Sequence, residues 1–180
     1  MITEELIIGQ TKKWITEVVI GCNFCPFAAR EIKKDTVHFQ VEISGLRTII
    51  LERFLEECKR LIENKNIETS FLILPNGYEE FDRYLEILKM GERLLSRNKY
   101  TGIFQLASFH PLYCFAGVSA DDAANYTNRS AYPMLQILRE ESIERALLHY
   151  ADPEKIPERN VEYARLKGID YMKLLRDACF

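Results

Sequence analysis

The chain has 180 residues, 47% of them apolar and 28% charged, and a formal net charge of −3. Those values suit one globular domain over 1–180, able to bury about 70% of its unfolded surface without metal or disulfide staples, with 153–180 readable as a peripheral helical appendage. They give no support to a nucleic-acid partner, because no basic stripe stands out, nor to a membrane span, because no apolar run approaches the roughly 20 residues a span needs.

Residues 3 to 20 read as a helix, with Thr3 as cap, Leu6, Gln10, Trp14 and Val18 at helical spacing, and Gly21 closing it in the left-handed conformation. A short helix is predicted from Pro26 to about Lys34, a strand over 36–43, and a helix from Leu46 to about Asn64 with Ile50, Phe54, Cys58 and Leu61 on its apolar stripe. Residues 69–74, TSFLIL, form the continuous apolar run of a buried strand, ended by Pro75, Asn76 and Gly77. A helix follows over 79–98, then a third strand over 101–109 and a short fourth at 112–118. A periodic helix is predicted from Pro133 to Tyr150, and two short helices end the chain. The β-α-β-α-β order implies an α+β fold with an α/β-like core. Its sheet is small, mostly parallel and three- or four-stranded, covered by helices, with a helical C-terminal third.

The N-terminus, MITEELIIGQ, is acidic and carries no basic segment with a cleavage site, so a cytoplasmic location is expected. Five irregularly spaced cysteines then read as free thiols. Among the histidines, His38 in its strand and His149 near a helix end read as structural.

Most of the groups able to do chemistry fall between Phe104 and Pro133. His110 ends a strand just before Pro111, where an imidazole either works as acid or base near neutral pH or sits neutral on a backbone carbonyl. Asn125, Thr127 and Asn128 either extend an anion site or bond their own turn. Arg129 lies ahead of the predicted helix, with Ser130 as its cap, where backbone N–H groups favour anions. On that helix Arg139 falls in the middle of the apolar face made by Leu135, Leu138, Ile143, Ala146 and Tyr150. A charge aimed at the core has to be paired, either by Asp121, Asp122 or Asp82 or by an anionic ligand. Asp121 and Asp122 point apart and make a poor cation site.

Outside that stretch, Cys25 precedes Pro26 and reads as the N-cap of a helix, where a thiol either packs or has its thiolate stabilised. Cys22-x-x-Cys25 also fits a redox pair, but it follows a helix rather than the first strand of a βαβ unit. No GxGxxG, P-loop or GxSxG is present, so neither cofactor nor metal is expected.

NFCPFA at Asn23–Ala28, FQLASFHP at Phe104–Pro111 and NYTNRSAYPMLQILRE at Asn125–Glu140 resemble an uncharacterised bacterial family, domain of unknown function fourteen-fifteen, over nearly the whole chain. The resemblance places Cys25, His110, Asn128, Arg129 and Arg139 in motif positions. It marks Cys22 as a departure from an aliphatic residue, Gln136 as standing where the family often has histidine, and Leu112 where it has aspartate. The family has no established activity.

Together these residues predict a small enzyme acting on an anionic small molecule. Cys25 and His110 would be catalytic, and Asn125, Asn128, Arg129 and Arg139 would bind the ligand. The alternatives are a non-catalytic module holding a phosphate- or carboxylate-bearing ligand, and an interaction protein that docks a partner on its polar segment.

Overall fold

The structure is a computed structural model that describes residues 2–148 and 150–180, so the reading of His149 lies outside the described residues. Helix α1, Glu4–Trp14, opens on Thr3, whose Oγ1 accepts the Leu6 N–H at 3.3 Å as expected. It runs directly into a π-helical turn, Ile15–Ile20, in which the Gly21 N–H reaches back five residues to the Thr16 carbonyl (3.0 Å). Gly21 is therefore right-handed, with φ of −59°, and not the left-handed cap that the sequence implies. Glycine is required there for a different reason: a Cβ would stand 2.2 Å from the Glu17 carbonyl oxygen.

The following elements are α2 (Ala28–Lys33), β1 (Val37–Val41), α3 (Arg47–Glu63), β2 (Thr69–Ile73), α4 (Phe81–Arg97) and β3 (Phe104–Phe109). After them come a 3₁₀ turn at Ala123–Thr127, β4 (Met134–Arg139), α5 (Glu140–Leu147), a second 3₁₀ turn at Pro153–Lys155, α6 (Ile156–Lys167) and α7 (Ile169–Asp177). The α+β class, the size of the sheet at four strands and the helical C-terminal part stand as read, but only the first three strands lie where the sequence places them. The pairing differs too: the sheet order is β1-β2-β4-β3, with β1 and β2 parallel and both other pairs antiparallel.

The cause is the segment predicted as a helix from Pro133 to Tyr150. Its first half is β4, which slots between β2 and β3 and supplies antiparallel partners to both. An inner strand is covered on both faces, so it reads as a nearly unbroken apolar run, and MLQILR also satisfies a helical period by coincidence. The fourth strand expected at 112–118 is instead a chain of turns.

Side chains alternate across the sheet and build two cores. On one face Leu72, Leu74, Leu135, Ile137 and Phe104 pack against Ile50, Phe54, Cys58 and Leu61 of α3 and Tyr84, Ile87 and Leu95 of α4. Each fully buried side chain of this kind contributes about 1.5–3 kcal/mol. The Tyr84 hydroxyl stitches that layer to the sheet, donating to the Met134 carbonyl (2.8 Å) and accepting the Phe109 N–H (3.1 Å). The opposite face, with Val41, Phe71, Ile73 and Met134, is covered by Ile7, Trp14, Ile15, Val18 and Val19, and by Ala164 and Met172 of α6 and α7. No described helix is long and apolar enough to cross a membrane.

Candidate functional site

The second core does not close. Between the sheet and the helices above it lies a cavity of about 620 Å³. Its floor is the face of the sheet carrying Val37, Thr69, Phe71, Ala107, Phe109, Gln136 and Leu138. Trp14, Ile15 and Val19 cover it from α1 and the π turn, Ile143 and Ala146 from α5, and Pro157 and Val161 from α6. Phe24, Cys25 and Phe27 close one side, and Phe115, Thr127 and Asn128 another. The rim carries Arg30, Glu31, Glu68, Arg145 and Glu158.

Size separates this space from a packing defect. A sealed, dry void costs about 24 cal/mol per Å³, so one of this volume would cost on the order of 15 kcal/mol, as much as a whole domain is stable by. A space of this size therefore holds solvent or a ligand, and it falls in the range of small-molecule pockets. Its aromatic floor is pre-ordered: Trp14 meets Phe109 edge-on at 5.2 Å, Phe71 stacks on Phe39 at 5.6 Å, and the Trp14 indole N–H is anchored on the Arg129 carbonyl at 3.1 Å.

Of the candidate site residues singled out in the sequence, Cys25, Asn128 and Arg139 line this cavity, as do Thr127 and Gln136. Cys25 is not the helix cap, which falls at Phe27. Burial pushes its thiol up, against the pull of the Phe27 and Ala28 N–H groups. Cys22 is also a free thiol, raised by burial against a hydrogen bond with Tyr163. The Asn128 amide donates to the Ser108 carbonyl (3.1 Å) and accepts the Thr127 hydroxyl (2.9 Å).

His110 is not brought to Cys25. It is fully buried against the rings of Phe81 and Tyr84 on the α4 side. Its Nε2–H donates to the Tyr78 carbonyl at 2.8 Å and its Nδ1 accepts the Leu112 N–H at 3.0 Å, so both nitrogens are engaged in the neutral form. Asn125, fully buried, bonds the Ser119 carbonyl (2.8 Å) and the Phe115 N–H (3.0 Å). Arg129 donates to the Tyr113 carbonyl (3.0 Å) and the Ala120 carbonyl (2.8 Å) while lying 4.7 Å over the Tyr126 ring.

Arg139 is no helix residue. It ends β4, and its guanidinium donates to the carbonyls of Leu61, Asn64 (3.0 Å) and Ile67 (2.9 Å), the frayed end of α3 and the turn after it. The acids proposed as its partners are not bonded to it. Asp122 pairs with Arg165 at 2.8 Å, and Ser130 caps no helix but donates to the Tyr132 carbonyl. His38, buried Glu57 and buried Ser70 also meet away from the cavity lining; Ser70 donates to the Glu57 carboxylate (2.5 Å), which also bonds His38 Nδ1 (2.8 Å), so the hydroxyl hydrogen goes to the carboxylate and not to the imidazole. Among the described residues, no group of three or more His, Cys, Asp or Glu is placed to hold a metal ion.

Burial pushes the His110 ring below its ordinary 6.5, against opposing pulls from the Tyr78 carbonyl, Glu79 and Glu80. A histidine kept neutral in the fold lends stability that is full above its unfolded pKa and declines as pH falls below it, since the unfolded chain takes up the proton first. The urea midpoint should therefore fall between about pH 7 and pH 5. The slope should be shallower in His110→Asn; equal slopes in the two proteins would show that His110 protonates as readily folded as unfolded.

The sequence profile of DUF1415, a protein family of unknown function, matches residues 6–174. The chain belongs to the DUF1415 family. No curated protein and no solved structure matches it. Within this DUF1415 chain the motif NFCPFA supplies part of the cavity wall and FQLASFHP part of its floor. Sequence reasoning did not assign Trp14, Phe71 or Ala107 to a site, and noted Gln136 only as standing where the family often has histidine. The available signal was the period of the strands: Thr69 and Phe71, Ala107 and Phe109, and Gln136 and Leu138 each recur on one face, and Gln136 puts an amide on a face that is otherwise largely apolar.

Proposed function

We propose that this DUF1415 protein binds a small, mostly apolar molecule between the sheet and its N-terminal helices. The observation that carries the reading is the cavity of about 620 Å³, lined chiefly by aromatic and aliphatic side chains. It keeps Cys25 and Asn128 as ligand-facing residues, with Arg139 beside them in the lining, and departs from the anionic ligand expected for Arg129 and Arg139, each of which commits Nε and one Nη to backbone carbonyls. Arg30, Arg139 and Arg145 in the lining are matched by Glu31, Glu68 and Glu158, so the cavity makes no net demand for negative charge. Binding is favoured over catalysis through Cys25, because burial disfavours the thiolate and no imidazole among the described residues lines the cavity.

Trp14 is the one tryptophan of the chain, and it lies in the cavity wall. Titration with anilinonaphthalene sulfonate should quench its emission saturably by energy transfer, with one dye bound per chain. Unsaturable quenching, or none, would remove the reading.

A further inference from the structure

We propose that Gln136 selects the ligand, and that what it selects is a neutral N–H or O–H donor on a planar apolar body. The inference rests on the binding reading above and names the ligand's chemistry. Gln136 lies mid-way along β4, flanked by Phe71 of β2 and Ala107 of β3, and so stands on the floor of the cavity.

The orientation of its amide follows from counting hydrogens. Thr69 has one hydroxyl hydrogen, and it is given to the Ile137 carbonyl at 2.8 Å. Towards Gln136, 3.0 Å away, Thr69 Oγ1 can therefore only accept. The NH₂ of Gln136 must face Thr69, and its carbonyl oxygen must face the other way. Among the described residues that oxygen receives no hydrogen bond. The neighbouring polar groups have protein partners: the single Thr127 hydroxyl hydrogen lies within reach of both the Ala124 carbonyl and the Asn128 oxygen, the Asn128 amide donates to the Ser108 carbonyl, and Asn160 donates to the Phe24 carbonyl.

An acceptor fixed on an aromatic floor is poorly served by an apolar ligand, which displaces water from it and offers nothing in return. A ligand carrying a donor keeps the bond, and sites of this kind reject the analogue that lacks the donor. The donor is neutral because the carboxylates that line the cavity, Glu31, Glu68 and Glu158, belong to the rim and not to the floor. The body is planar because the floor on which Gln136 stands carries the rings of Phe71, its partner across β2–β4, and of Phe109 on β3, 6.3 Å apart between centroids.

Calorimetric titration with indole and with benzofuran, which replaces the N–H by an oxygen at nearly constant shape, tests this. Indole should bind at least about tenfold more tightly, the range expected for a buried acceptor left unpaired. Gln136→Leu should bring the ratio to one with benzofuran affinity retained. Thr69→Val, which frees the amide to turn, should shrink the ratio without abolishing binding. Equal affinities in the wild type, or a ratio that survives in Gln136→Leu, would overturn the role of Gln136 while leaving the cavity reading in place. Failure of both probes to bind the wild type would remove the cavity reading and this inference together.

Discussion

Arg139→Ala is expected to lower the stability of the protein by about 2–4 kcal/mol, because it strips the partner from three carbonyl oxygens at once. The oxygens of Leu61, Asn64 and Ile67 belong to the end of α3 and the turn leading into β2. The last carbonyls of a helix have no partner within it, and the Leu61 residue is fully buried, so water cannot replace the guanidinium there. The positive charge also complements the negative end of the helix dipole. Burial pulls Arg139 below the ordinary arginine range, against the pull of Glu68 and Glu141. Arg139→Lys should recover less than half of the loss, because an ammonium is a single point of donation and not a planar fork spanning three acceptors. Urea denaturation of the three proteins measures this, and a loss under about 1 kcal/mol for the alanine variant would show that the carbonyls find other partners.

The same residue shows where the sequence is legible and where it is not. The run of α3, β2, α4 and β3 is written in local periods: Ile50, Phe54, Cys58 and Leu61 mark a helix stripe and TSFLI a buried strand. Local chemistry also announces Thr3 as a cap. The strand β4 is different, because nothing within MLQILR distinguishes an inner strand from a helix; the choice is made by β2 and β3, whose open edges it fills. Taken as helical, Arg139 points at a core and demands an anion. As the last residue of a strand, it reaches across to a helix end.

The polar stretch from His110 to Ser130 misleads for a related reason. A segment with little regular structure still has to satisfy its backbone groups, and side chains do so here: Asn125 for Ser119 and Phe115, Arg129 for Tyr113 and Ala120, His110 for Tyr78 and Leu112. Functional groups and scaffolding groups are the same residue types, and only their partners tell them apart. The cavity, by contrast, is assembled from apolar residues of at least six segments, each of which reads on its own as ordinary core.

Ala107→Trp is expected to weaken dye binding at least tenfold while leaving the unfolding midpoint unchanged or raised. Ala107 sits opposite Gln136 across the β3–β4 pair and lines the cavity floor. Directly opposed side chains lie about 4.5–5.5 Å apart at Cβ, so an indole at 107 stands over the space a ligand would use and screens the Gln136 oxygen. In a close-packed core the same substitution would be strongly destabilising. Here the added ring enters volume that is already open, and filling such space commonly stabilises. The two readouts separate the outcomes. A surface-bound dye would gather on exposed side chains such as Leu148, Leu166 and Leu174 and would not notice a change at the sheet. Undiminished dye binding in Ala107→Trp would therefore place the dye outside the cavity, and a large fall in stability would show that the space over β3 is already filled by the protein itself.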